Sequence, residues 1–80
     1  MEDFEKKQIG ERIKEARLRR FKGTVTQTEL AQLLGVPYRT YQNWELGLRT
    51  PSHEAIIKLA NILKTDPPYL LFGKPRKKGN

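Results

Sequence analysis

Four side chains between Tyr38 and Asn43 carry groups that can recognise the edges of nucleic-acid bases. The segment reads YRTYQN, and if it is helical, Arg39 and Asn43 lie one turn apart on the same face. An arginine guanidinium can donate two hydrogen bonds to guanine, and the side-chain amides of Gln42 and Asn43 can pair with adenine. Tyr38 can contact a thymine methyl group or a phosphate. These residue types at this spacing predict a helix that reads base pairs in the major groove of DNA.

Four other polar residues are suited to contacting the DNA backbone. Gln27 and Thr28 stand at the start of another predicted helix, where a side-chain amide and main-chain N–H groups can bind a phosphate. Thr40 lies within residues 38–43, which we call the reading segment, and Arg49 follows this segment in a loop. Backbone contacts of this kind fix the register of a protein on DNA. We therefore expect phosphate contacts on both sides of the reading segment.

The alternative is that Arg39, Gln42 and Asn43 form an ordinary solvated face, as most polar residues on helices do. Residue types alone do not separate the two interpretations. The net charge of +7, together with the organisation of the neighbouring segments, favours DNA recognition.

The segment that contains these residues has the pattern of two short helices joined by a tight turn. It reads TQTELAQLLGVPYRTYQNWELG, from Thr26 to Gly47. Thr26 and Glu29 match a capping box, in which each side chain bonds the backbone of the other residue. Gly35 and Gly47 can take the left-handed conformation that ends a helix, and Pro37 suits a first helical turn. Two such helices form a helix-turn-helix, the second helix of which fits the major groove.

Three further helices are predicted around this unit. Apolar periodicity predicts a first helix that begins at Phe4 or Ile9 and ends near Phe21. Ser52 begins a fourth helix, and residues 66–68 open a short fifth helix that ends at Gly73. The predicted buried faces comprise Ile9, Ile13, Ala16, Leu30, Ala31, Leu33, Leu34, Val36, Tyr41, Trp44, Ile56, Leu59, Ala60 and Leu63.

The predicted fold class is all-α, because no strand pattern is present: a compact five-helix bundle that contains a helix-turn-helix. We expect residues 9–73 to form the DNA-binding domain. Residues 1–8 are expected to be a flexible N-terminal arm or an extension of helix 1. Residues 74–80 are expected to be a basic, disordered tail, which either contacts phosphate or begins a linker.

Charge is distributed unevenly along the 80 residues. Residues 12–24 carry six Lys or Arg and one acid, and residues 73–80 carry four Lys or Arg and no acid. Residues 25–72, which include the reading segment, carry four of each sign. The basic surface therefore belongs to the first helix and the tail, and nucleic acid is the favoured partner, ahead of an anionic membrane.

Several other functions find little support in the residues. The chain has no cysteine, and a lone His53 cannot form a metal site unaided. No arrangement of Ser with His or of Cys with His suggests a catalytic centre, so we expect neither an enzyme nor a cofactor. Because no apolar run approaches the ~20 residues that span a bilayer, we expect no membrane partner and a cytoplasmic protein.

The sequence resembles the phage repressor and Cro family of helix-turn-helix regulators, also called the xenobiotic-response-element type. The segments that carry the resemblance are IGERIKEAR, TQTELAQLLGV, YQNWELGLRTPS and IIKLANILKTDPPYLLFG, and they span residues 9–73. The resemblance implies a lambda-repressor-like DNA-binding domain of four or five helices, with helices 2 and 3 as the reading unit. The sequence departs from the family pattern in two places. Pro37 and Tyr38 replace small polar residues, and the segment between Arg17 and Thr26 is longer.

The resemblance also implies roles for particular residues. Gln27 matches a position that contacts phosphate and braces the reading helix, while Tyr38, Arg39 and Asn43 match base-contacting positions. Arg17 and Glu45 match an arginine of helix 1 that pairs with the glutamate ending helix 3. The alternative for Arg17 is an apolar stem with its head in water.

The expected partner is a double-stranded DNA operator, bound by a homodimer on two half-sites. The apolar residues Tyr69, Leu71 and Phe72 are candidates for the dimer surface, and the alternative is that residues 69–72 close the core of the monomer. We expect a transcriptional regulator, most simply a repressor of phage or prophage type. The competing interpretation is an antitoxin of the same fold, whose main partner is a toxin protein and which also binds its own operator.

Overall fold

The structure, a computed structural model, describes residues 2–73, apart from the side chain of Glu2. All secondary structure in this range is helical, in five elements: α1 (Glu2–Phe21), α2 (Gln27–Leu34), α3 (Tyr38–Leu46), α4 (His53–Leu63) and α5 (Pro67–Phe72). The predicted all-α fold with five helices is confirmed. Residues 2–8 extend helix α1, and the predicted tail at 74–80 lies outside the described residues.

The predicted start and end of α2 are confirmed. Thr26 accepts a hydrogen bond from the Glu29 amide, and the Glu29 side chain accepts one from the Thr26 amide, which completes the capping box. Gly35 then ends α2 with φ of 77°, in the left-handed region that favours glycine.

Helix α3 begins one residue later than the sequence suggested. Pro37 was expected in the first helical turn, but it is the N-cap residue, with extended backbone (φ −63°, ψ 148°). The physical reason is that the Pro37 carbonyl already accepts the first helical bond, from the Tyr41 amide, while its ψ keeps it outside the helix. Gly47 ends α3, and the Ser52 hydroxyl caps α4 through the Ala55 amide.

The core lies where α1, α2, α3 and α4 meet, and α5 covers one end. Helix α1 packs against α3, α4 and α5, while α2 packs against α3 and α4. The buried apolar residues are Ile9, Ile13, Ala16, Leu30, Ala31, Leu34, Tyr41, Trp44, Ile56, Leu59, Ala60, Leu63 and Leu70. Leu33 was predicted to be buried but is 61% exposed, because it points about 100° away from the face shared by Leu30, Ala31 and Leu34. Val36 is only partly buried against this core.

Helices α1 and α3 approach each other closely at Gly10. A Cβ atom added there would lie 2.5 Å from the Trp44 carbonyl oxygen and 2.6 Å from the Glu45 carbonyl oxygen. Three residues earlier on α1, the Lys7 backbone lies against Gly47 at the end of α3. The side of α1 that contains Lys7 and Gly10 therefore rests directly on the backbone of the last turn of α3.

Helix α5 is anchored to α1 by both apolar and polar contacts. Leu70 is fully buried, and both Tyr69 and Leu71 pack partly buried against the core. The Arg12 Nη1 atom donates a 3.0 Å hydrogen bond to the Leu70 carbonyl oxygen. Much of the 69–72 segment thus closes the monomer core, whereas Phe72 remains 68% exposed.

Within residues 2–73, no helix is both long enough and apolar enough to cross a membrane.

Candidate nucleic-acid interface

Helix α3 presents one apolar face to the core and one polar face to solvent. Tyr41 and Trp44 are buried and pack edge to face, with ring centroids 6.0 Å apart and an interplanar angle of 72°. Of the predicted base-reading residues, Tyr38 and Arg39 are exposed, while Gln42 and Asn43 are partly exposed. The structure therefore turns all four predicted base-reading residues toward solvent while aromatic packing holds the helix from behind.

The C-terminal half of α3 borders a small cavity on its solvent side. The cavity has a volume of about 250 Å³ and is lined by Thr40, Asn43, Trp44, Arg49 and Thr50. The loop that carries Arg49 folds back onto α3, since the amides of Leu48 and Arg49 both donate to the Asn43 carbonyl oxygen. Thr40, Asn43 and Arg49 are thereby brought together, and they are joined by Thr50, which was not among the predicted residues.

Gln27 connects the start of α2 to both ends of α3. Its Nε2 atom donates a 2.8 Å hydrogen bond to Glu45 Oε1, near the end of α3. Its Oε1 atom accepts a hydrogen bond of 3.4 Å from the Tyr38 hydroxyl, at the start of α3. Thr28 lies beside it, exposed in the first turn of α2. The side chain that is expected to contact phosphate therefore also contacts the helix that is expected to read bases.

A buried carboxylate, that of Glu45, fixes the end of α3 against α1. Arg17 donates to it through two atoms, Nε to Oε2 at 2.8 Å and Nη2 to Oε1 at 3.2 Å. The Arg17 Nη1 atom also donates to the Val25 carbonyl oxygen at 2.9 Å, just before α2. Tyr41 donates its hydroxyl hydrogen to Oε2. We call the side chains of Arg17, Gln27, Tyr41 and Glu45 the Glu45 network.

Arg17 is therefore neither solvated nor an isolated buried charge. Its side chain is 9% exposed and that of Glu45 is 2% exposed. A buried pair of this kind is favourable only when its remaining hydrogen-bonding groups are also satisfied. No buried side-chain nitrogen or oxygen atom in residues 2–73 lacks a hydrogen-bond partner. The segment between Arg17 and Thr26 continues α1 as far as Phe21 and then forms a loop that closes on Arg17 through Val25.

The pKa values in the Glu45 network follow from these contacts. Burial by itself would raise the pKa of Glu45, but the hydrogen bonds from Arg17, Tyr41 and Gln27 outweigh it and hold the pKa below its ordinary value. The hydrogen bond to Glu45 raises the pKa of Arg17 despite burial. Burial, reinforced by the hydrogen bond to Glu45, raises the pKa of the Tyr41 phenol. Near neutral pH the carboxylate is thus ionised and both partners keep the protons that they donate.

The sequence contains a signal for one part of this network that was not predicted, the hydrogen bond from Tyr41 to Glu45. Tyr41 lies four residues before Glu45, which places the two side chains on the same face of α3. Tyr41 was predicted to be buried, and a buried phenol needs a hydrogen-bond partner. The bond from Gln27 to Glu45 carries no such local signal, because it joins different helices.

In this five-helix bundle, one face of the third helix packs on the core and the other is polar and exposed to solvent. This is the architecture of helix-turn-helix proteins. Comparison with known families places the chain more narrowly. It belongs to the Cro/CI-type helix-turn-helix family, whose match covers residues 13–70. The resemblance to the phage repressor and Cro family is thus confirmed.

Three curated relatives from Bacillus subtilis (strain 168) are similar to the chain. An uncharacterized HTH-type transcriptional regulator, YqaE, is 37% identical over 54 residues, which cover 68% of this chain and 47% of YqaE. The HTH-type transcriptional regulator ImmR is 35% identical over 63 residues, covering 79% of this chain and 47% of ImmR. The SPbeta prophage-derived uncharacterized HTH-type transcriptional regulator YonR is 36% identical over 65 residues, which cover 81% of this chain and 57% of YonR. The chain spans about half the length of the curated relatives that it matches.

Proposed function

We propose that the chain binds double-stranded DNA sequence-specifically as a transcriptional regulator, with α3 in the major groove. The names of the three relatives support regulation of transcription, and YonR is prophage-derived. A repressor of phage or prophage type is the simplest form of this activity. The activity is binding in the cytoplasm and involves no catalytic step, metal or cofactor.

The observation that carries the proposal is the contrast between the two faces of α3. On the core side of the helix, Glu45 is hydrogen-bonded to two other segments of the chain, and Gly10 allows α1 to lie directly against the α3 backbone. In front, Arg39 extends from the first turn and is exposed. A helix that enters a groove must present its polar groups in a fixed geometry to discriminate between bases, and this arrangement meets that requirement.

Base contacts are proposed for Arg39 with guanine and for Gln42 and Asn43 with adenine. Tyr38 is proposed to contact a thymine methyl group or a phosphate. Because Tyr38 bonds to Gln27, its position depends on the start of α2 as well as on α3.

Backbone contacts are proposed for Gln27, Thr28, Thr40 and Arg49, with Thr50 added because it lines the same cavity as Thr40 and Arg49. Gln27 gives one amide hydrogen to Glu45. A primary amide has two such hydrogens, so the second is available to a phosphate oxygen.

The proposed partners are an operator and a second copy of the chain, since one such module contacts few base pairs and regulators of this kind bind paired half-sites. The antitoxin alternative stays a prediction. The antitoxin would be distinguished from the repressor by a neighbouring gene whose product is a small toxin that forms a stable complex with this chain.

Replacing Arg39 by Ala tests the proposed reading of bases. The preferred duplex is first found by selection from random duplexes and located by footprinting. On that duplex Arg39→Ala is expected to weaken binding by about 1–3 kcal/mol and to relax preference at one base pair. The measurement is a fluorescence anisotropy titration of preferred and scrambled duplexes over a range of salt concentrations.

Arg49→Ala is the matched control, because it removes the same charge from a residue that is assigned to phosphate. It should weaken binding to both duplexes by a similar factor. If Arg39→Ala also weakens both duplexes equally, Arg39 does not read a base and the proposal for α3 is wrong.

A further inference from the structure

A second concave surface lies between the C-terminal part of α1 and the end of α4. Its volume is about 250 Å³, and its lining consists of Ala16, Arg19, Arg20, Leu63, Lys64 and Thr65. None of these residues belongs to α2 or α3, and none is a proposed DNA contact. Among the described residues that line the cavity, three are cations and none is a carboxylate. We call this surface the α1–α4 cavity.

Helical geometry explains how α1 contributes two arginines to one cavity. Residues 16, 19 and 20 are spaced i, i+3 and i+4, so their side chains share a face. Ala16 is buried and small, so it leaves room between the arginines, which are both exposed. The Arg20 guanidinium also lies 4.9 Å from the centre of the Phe21 ring, a cation–π contact that limits the positions it samples.

The end of α4 supplies the third cation from an unusual backbone position. Lys64 is the C-cap residue and has φ of 57°, in the left-handed region where a side chain costs about 1–2 kcal/mol. Two carbonyl oxygens in the last turn of α4 already accept backbone hydrogen bonds. The Lys64 amide bonds to the Asn61 carbonyl oxygen and the Thr65 amide to the Ala60 carbonyl oxygen, at 3.3 and 2.9 Å.

We propose that the α1–α4 cavity binds a phosphate group. Guanidinium groups donate paired hydrogen bonds to phosphate oxygens, an ammonium adds a point charge, and the Thr65 hydroxyl is a further donor. The volume lies below the roughly 300–1,000 Å³ of sites for drug-sized ligands, which suits a small anionic group. The phosphate belongs either to a DNA strand that extends past the reading helix or to a free phosphate ester. Neither source requires that α3 read bases.

Inorganic pyrophosphate is the probe that tests the cavity without DNA. In a nuclear magnetic resonance titration of the full chain, we expect saturable shifts of the amides of residues 16–20 and 63–65. The double variant Arg19→Gln/Arg20→Gln should weaken this binding about tenfold or more, since a single hydrogen bond to a charged group is worth roughly that factor.

The control double variant is Lys14→Gln/Lys58→Gln, which removes the same two positive charges from exposed positions outside the cavity. It should leave pyrophosphate binding within about twofold of the original, because neither side chain lines the cavity and solvent-exposed charges are screened by salt. Circular dichroism should show unchanged helix content for both. Shifts that do not saturate, or an equal loss in both double variants, would overturn the proposal.

A DNA titration then identifies the source of the phosphate. On a duplex extended beyond the footprint, a strand contact predicts that Arg19→Gln/Arg20→Gln lowers the slope of log K against log salt by about one per lost contact. The short duplex should show no such change. A free phosphate ester predicts unchanged binding to both duplexes alongside the loss of pyrophosphate binding. A failure of sequence-specific binding affects only this DNA experiment and leaves the pyrophosphate result intact.

Discussion

At the scale of single residues, the Glu45 side chain makes more hydrogen bonds to other helices than the side chains of its neighbours on α3 do. It accepts hydrogen bonds from Arg17 on α1, Gln27 on α2 and Tyr41 on its own helix. A carboxylate accepts at several positions, which is why one short side chain can join three helices. Its burial makes the network sensitive, because removing one partner leaves the other charge buried and unpaired.

Replacing Glu45 by Gln is expected to destabilise the fold by about 3–5 kcal/mol near neutral pH. The change should also alter the pH dependence of stability. Because the folded pKa of Glu45 is lowered from 4.5, its contribution is present above that pH and is lost as the pH falls through the folded value. Urea unfolding between pH 7 and pH 3 measures both effects.

The control for this substitution is Glu15→Gln, which changes an exposed carboxylate on α1. It should leave stability within about 0.5 kcal/mol and preserve the loss of stability in acid. A Glu45→Gln protein whose stability falls with acid as steeply as that of the original chain would show that Glu45 is not the group responsible.

At the scale of helices, the contact of α1 with α3 decides where the reading helix lies. Gly10 lies within α1, where helix propensity alone favours alanine over glycine by about 1 kcal/mol. The carbonyl oxygens of Trp44 and Glu45 occupy the space that a methyl group would need. Since these atoms belong to the backbone, they cannot move aside as a flexible side chain would.

We expect Gly10→Ala to destabilise the chain by about 1–3 kcal/mol, the usual cost of overpacking, despite the gain in helix propensity. The midpoint of urea unfolding measures the change. Lys14→Ala, at an exposed position of the same helix, is the control and should change stability by less than about 0.5 kcal/mol. A Gly10→Ala protein that is more stable than the original would contradict the close packing of α1 on α3.

At the scale of the whole molecule, the exposed apolar surface bears on assembly. Phe72, at the end of α5, is 68% exposed, and with Leu71 it borders a groove of about 270 Å³ against α1. Both Tyr69 and Leu71 also pack against the core, so only part of the predicted dimer surface is available for association. The proposed homodimer therefore depends chiefly on Phe72.

Phe72→Gln is expected to weaken dimerisation and to reduce binding to a duplex with two half-sites by about tenfold or more, since truncating an important interface residue costs more than about 1 kcal/mol. Binding to a single half-site should be unchanged. Sedimentation velocity and anisotropy titrations measure the two effects. Leu33→Gln is the matched control, because Leu33 is 61% exposed on α2. The proposed dimer surface is wrong if both variants, or neither, lose self-association.

The candidate interface was predictable as a set of residues but not as a geometry. The solvent-facing position of Arg39 follows from the helical repeat once Tyr41 and Trp44 are assigned to the core, whereas Tyr38, three residues before Tyr41, is exposed although the repeat places it near the buried face. Thr50 and the bond from Gln27 to Glu45 were not predicted, because each depends on how a loop or a second helix returns to α3. Whether these residues contact DNA stays a prediction for the binding experiments.

Features that depend on a few consecutive residues could be predicted from the amino-acid sequence. The capping box of Thr26 and Glu29, the glycine that ends α2 and the Ser52 cap all follow from local backbone and side-chain chemistry. The close approach at Gly10 and the placement of Arg19, Arg20 and Lys64 around one cavity became visible only in the folded structure. The physical reason is that these contacts join residues that are distant along the chain. Their distances are set by the packing of whole helices, which no local pattern encodes.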